Sequence, residues 1–160
     1  MRRLQPVTGR NAAGVSLLEM LLVVGLIAIA STLAAMALTG GLEGMRLRSS
    51  AKEIASQLRY TRAQAIATGQ AQRFVIDPAG RAWQAPNDKT GRIPESLAVE
   101  FTGAREAQAR AGEGGILFFT DGASTGGRIQ LQARQAAWRV DVAWLTGEVT
   151  LSRASPEALR

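Results

Sequence analysis

The chain has 160 residues, 19 of them basic and 13 acidic, for a formal net charge of +6. It holds no cysteine and no histidine, which removes disulfide and thiol chemistry, the commonest general base and the commonest transition-metal ligand. Only Lys52 and Lys89 could act as amine nucleophiles, so no catalytic residue, no metal site and no cofactor are expected.

Residues 1–14 read as a basic leader with no fold of its own. Setting aside Arg2, Arg3 and Arg10 leaves 16 basic against 13 acidic residues, or +3. The basicity is partly a property of the leader, and no nucleic-acid partner is expected from it. From Val15 to Leu38 the chain runs for 24 residues with one charge, Glu19. As a helix that is roughly 36 Å, enough to cross a hydrocarbon core of about 30 Å. Only a helix keeps every backbone group bonded in lipid. A carboxylate near the start of such a span is costly without a partner. No Lys or Arg lies within helical reach on its C-terminal side, which points to a partner on another chain. Two plainer readings stand beside this: an ordinary anchor with Glu19 among the headgroups, and a secretory signal with Ala35-Met36-Ala37 as its cleavage site. The apolar run is much longer than the usual core of a secretory signal, roughly 7–15 residues. Arg2, Arg3 and Arg10 before the span balance Arg46, Arg48 and Lys52 after it, so basic flanks do not orient it.

Gly14-Val15-Ser16-Leu17-Leu18-Glu19-Met20 resembles the class III signal of type IV pilins and type II secretion pseudopilins. The resemblance implies that a membrane prepilin peptidase, also the N-methyltransferase, cuts between Gly14 and Val15 and methylates the new Val15 amine. It implies that Glu19 is the assembly glutamate, paired with the Val15 amine of a neighbouring subunit. Where the family usually begins its mature chain with Phe, this one has Val15. The implied placement is a single pass through the inner membrane of a Gram-negative bacterium, leader in the cytoplasm and C-terminal domain in the periplasm.

Residues 15–39 are thus the transmembrane half of a long helix and 40–69 its amphipathic soluble half. Leu47, Ala51, Ile54, Leu58, Thr61 and Ala65 recur at helical spacing and form one apolar stripe. Arg46, Arg48, Lys52, Arg59 and Arg62 fall off that stripe, on a face expected to be exposed. Gly69 is a natural helix stop.

Residues 70–153 read as a β-sheet domain. Gln72 to Ile76 and Arg81 to Gln84 flank Asp77-Pro78-Ala79-Gly80 as a hairpin. Ala85 to Pro94, polar and twice interrupted by proline, reads as a loop. Leu97 to Thr102 and Ile116 to Thr120 read as strands, and Gly103 to Gly115 between them as a loop. Gly127 to Ala133 alternates cleanly. Trp138, Val140, Val142 and Trp144 alternate with Arg139, Asp141 and Ala143, and Val149 to Leu151 follows suit. Such alternation means sheets with one buried face. Seven strand candidates after a helix predict an α+β, pilin-like fold: a long N-terminal helix followed by an antiparallel β-sandwich that its stripe partly covers. Trp83, Trp138 and Trp144 are expected in the core, and residues 154–160 form a tail.

Phe118-Phe119-Thr120-Asp121-Gly122-Ala123-Ser124-Thr125-Gly126-Gly127-Arg128-Ile129 and Trp144-Leu145-Thr146-Gly147-Glu148-Val149 resemble the C-terminal domain of the H-type minor pseudopilins of type II secretion. The minor pilins of the FimT and FimU kind carry a related domain. Read for chemistry, the glycine-rich loop lies between strands and lacks the lysine of a phosphate-binding loop, so a structural turn is expected. The resemblance implies a subunit at or near the tip of the periplasmic pseudopilus, which exports folded proteins. Its partners would be the peptidase, the major pseudopilin and the other minor pseudopilins. A minor type IV pilin, in pilus assembly or DNA uptake, is the alternative.

Overall fold

The computed structural model describes residues 16–103, 112–134 and 136–156, without the side chains of 35–41. It divides into two compact units between Thr39 and Gly40. Helix α1 runs over Leu17–Thr68. In the first unit its apolar window, Leu17–Ala34, has a mean hydropathy of 2.3, and none of it is buried. Its two hydroxyl side chains bond within the helix: the Ser31 hydroxyl donates to the Ile27 carbonyl and that of Thr32 to the Ile29 carbonyl, both at 2.7 Å. That removes the cost of a bare hydroxyl in lipid.

In the second unit the stripe residues Leu47, Ala51, Ile54, Leu58, Thr61 and Ala65 are all fully buried. The buried Thr61 hydroxyl donates to the Gln57 carbonyl, 2.8 Å away, so the polar member of the stripe carries no unmet bond. The helix ends at Thr68 and Gly69 takes a φ of 61°, the left-handed turn that lets a chain leave a helix.

Eight strands follow: β1 (Gln72–Asp77), β2 (Ala82–Ala85), β3 (Lys89–Arg92), β4 (Ala98–Gly103), β5 (Gly114–Phe118), β6 (Gly127–Ala133), β7 (Ala136–Val142) and β8 (Val149–Ala154). They form two four-stranded antiparallel sheets, ordered β3-β2-β1-β5 and β4-β6-β7-β8. Buried residues face one another across neighbouring strands, Phe74 opposite Ile116 and Ile76 opposite Trp83 in one sheet, Ile129 opposite Val140 and Val142 opposite Val149 in the other. Both sheets and the helical stripe contribute to a single core. The fold is α+β, with an N-terminal apolar helix and antiparallel sheets.

Two expectations need correcting. The stretch 85–94 is not all loop: Lys89–Arg92 forms β3 and pairs with β2 in the register Ala85 to Lys89. The strand is an edge, and most of its side chains are exposed, so it shows no buried face for alternation to reveal. Asn87 and Asp88 hold φ values of 60° and 54° in the turn before it, a conformation that short polar Asn and Asp side chains tolerate. The strand expected from Ile116 starts earlier, at Gly114, inside the stretch read as a loop; residues 104–111 of that stretch lie outside the described residues.

Candidate functional site

Gly14 and Val15 lie outside the described residues. Glu19 is exposed in the first turn of α1, where the helix dipole favours a carboxylate. Among the described residues no basic side chain pairs with it.

The distinctive glycine-rich motif lies at one end of the β-domain, in the β5–β6 loop, beside the β7–β8 loop. Most of its polar groups are bonded within the loop or to β5, and two bonds from Ser124 tie it to the β7–β8 loop. Asp121 Oδ1 accepts from the Ala123 amide (2.9 Å). The Phe119 amide donates to the Ala123 carbonyl (2.8 Å), and that of Gly122 to the Phe119 carbonyl (3.0 Å). The buried Ser124 hydroxyl donates to the Ala143 carbonyl (3.1 Å) and accepts from the Gly126 amide (3.0 Å). The Ser124 amide donates to the Trp144 carbonyl (3.0 Å). Thr125 exchanges bonds with Leu117: its amide donates to the Leu117 carbonyl (2.9 Å) and its hydroxyl accepts from the Leu117 amide (3.1 Å). Ser124 is thus committed to two bonds, and Lys89 is set over the Tyr60 ring 3.6 Å from its centroid. Asp141 lies in ion pairs with Arg128 (2.6 Å) and Arg139 (2.8 Å). Among the described residues no cluster of acids could hold a metal.

Helix α1 closes the lock. Arg62 Nε donates to the Gly122 carbonyl and Arg59 Nη2 to the Val149 carbonyl, each at 3.0 Å. The sequence placed both arginines on a free face; the structure uses them to tie the helix to a loop 60 residues downstream and to the start of β8, 90 residues downstream. No local pattern marks such a bond, because it depends on what the fold brings opposite. Replacing Arg62 with Gln should lower domain stability by about 1–2 kcal/mol, the cost of a lost charge-assisted bond to a half-buried carbonyl. A urea melt reads this directly; an unchanged midpoint would show that the bond contributes nothing.

The lock leaves large apolar side chains outside. Trp144 is 70% and Leu145 68% exposed, with Phe119 and Ile66 also uncovered. This corrects the expectation that all three tryptophans are core. Trp83 is buried, Trp138 half-buried, and Trp144 lies beyond the end of β7, where the Ala143 amide turns to the Glu148 carbonyl (3.0 Å).

A family profile described as "Type II transport protein GspH" matches residues 50–147. The chain is 63% identical over 147 residues to the type II secretion system protein H of Xanthomonas campestris pv. campestris, covering 92% of this chain and 87% of that one. Among solved structures, the type IV minor pilin FimU of Pseudomonas aeruginosa aligns with a TM-score of 0.55 at 14% identity, over 72% of this chain and 96% of that one. The minor pseudopilin EpsH of the type 2 secretion system of Vibrio cholerae aligns at 0.49 and 23% identity, over 69% and 98%.

Proposed function

We propose that this chain, which belongs to the GspH family of type II transport proteins, is a minor pseudopilin of a type II secretion system. The close likeness to a type II secretion system protein H along nearly the whole chain carries the reading. The likeness to FimU is one of fold alone, so a type IV pilus is the weaker alternative.

The apolar window of α1 anchors the chain in the inner membrane, and the β-domain lies in the periplasm. A prepilin peptidase cuts after Gly14 and methylates Val15. Glu19 then pairs with the Val15 amine of a neighbour. The pairing acts as a register device, because a subunit at the wrong axial offset leaves both charges bare in lipid. The subunit joins the major and other minor pseudopilins near the filament tip. Trp144, Leu145, Phe119 and Ile66 suit a surface for one of those subunits, since large apolar side chains held rigidly in the open mark contact sites. The protein works as a structural subunit.

The test is the intact mass of the chain purified from membranes. The expected product begins at methylated Val15 and is absent from a strain lacking the peptidase. A chain still beginning at Met1 in the competent strain would end this reading.

A further inference from the structure

At the other end of the soluble half of α1 lies a cleft of about 470 Å³. Gly44, Met45 and Arg48 of the helix form one wall, and Ala136, Trp138 and Arg153 of β7 and β8 the other. Arg153 stands opposite Trp138 across the β7–β8 pair. Its guanidinium carbon lies 5.7 Å from the Trp138 ring centroid, and that of Arg48 lies 5.8 Å from the same ring. Two cations are thus held over one indole, where stacking orients their donors.

Among the described residues no acid lines the cleft. The nearest in sequence, Glu43, is engaged by Arg134 at 2.9 Å. Two like charges gathered around one ring favour an anion between them. The surroundings favour one that carries hydrocarbon: Leu42 and Met45 are 54% and 70% exposed beside the cleft. In sequence both follow closely on the apolar run that ends at Leu38, and tryptophan and arginine are favoured side chains at a membrane interface.

We propose that this cleft binds the phosphate of an anionic phospholipid in the leaflet on the domain's own side. Arg48 and Arg153 take the phosphate oxygens, Trp138 packs against the headgroup, and Leu42 and Met45 meet the upper acyl chain. The site would hold the domain against the membrane before assembly, and a subunit leaving the bilayer would give up its lipid there. The proposal rests on the reading of α1 as a membrane anchor.

The test uses the full chain in detergent, stripped of native lipid and offered phosphatidylglycerol and phosphatidylcholine in equal amounts. Native mass spectrometry counts what stays bound. The wild-type chain should retain phosphatidylglycerol over phosphatidylcholine by roughly tenfold. Arg48→Gln/Arg153→Gln should abolish the preference. Arg73→Gln/Arg92→Gln, which removes the same charge from exposed positions elsewhere, should preserve it. Equal retention of both lipids by the wild type, or equal loss in both double variants, overturns the proposal. So does displacement of the lipid by millimolar inorganic phosphate, which would mark a site for a free anion and needs no variant to detect. Resistance of the chain to carbonate extraction from membranes reads the anchor separately, so failure of the lipid site and failure of the anchor are distinguishable.

Discussion

Glu19→Ala should leave the chain inserted and trimmed as before, yet missing from the filament. The substitution removes the only charge in the span and helps insertion if anything, because an apolar side chain replaces a carboxylate in lipid. On the proposed reading, what it removes in the assembled state is the partner of a neighbour's amine. Breaking a buried pair by deleting one member costs about 3–5 kcal/mol, or roughly two to four orders of magnitude in the occupancy of a filament position. The measurement compares the amount of chain in a cross-linked pseudopilus fraction with that left in the membrane. Normal incorporation of the alanine chain would remove Glu19 from any part in assembly.

Gly147→Ala should be the most damaging single-methyl change in the β-domain. Gly147 takes a φ of 63°, and a Cβ built there falls far inside van der Waals contact distance of the Gly122 carbonyl oxygen. That oxygen accepts from Arg62, so moving it also disturbs the helix clamp. Left-handed strain and forced overpacking together should cost about 3 kcal/mol or more, a fall in midpoint temperature of roughly 10 °C. Gly69→Ala separates the two causes. Gly69 has nearly the same φ, 61°, but nothing near its would-be Cβ, so only the backbone strain of about 1 kcal/mol should appear. Equal losses in the two variants would mean that the contact with Gly122 is unimportant.

The parts of the fold visible in the sequence are those whose signal is local. A run of 24 residues with a single charge shows its own length. The helical stripe repeats at helical spacing, and all six of its predicted members are fully buried. Strand β6 was expected over Gly127 to Ala133 and occupies those residues, because Ile129, Leu131 and Ala133 face the core while polar neighbours mostly face away. The glycine-rich loop was legible as a structural turn, though not its bonding partners.

What failed to show locally was decided by tertiary structure. Strand β5 lies between β4 and β6 in sequence, yet it joins β1 while β4 pairs with β6. Nothing in the apolar character of Gly114–Phe118 says which sheet will take it. Trp144 continues the alternation of β7 on paper, but its strand ends at Val142, so the side chain expected in the core faces outward. Arg59, Arg62, Arg48 and Arg153 look alike as surface charges; the first holds the start of β8, the second a loop, and the last two flank an indole. Sequence by itself determined the elements with one apolar face: the span with its single carboxylate, the striped helix and the alternating strands. Tertiary structure alone decided how the strands divide between two sheets and what each arginine holds. The physical reason is that periodicity is a property of neighbouring residues, whereas pairing and burial depend on groups the chain brings together from far apart.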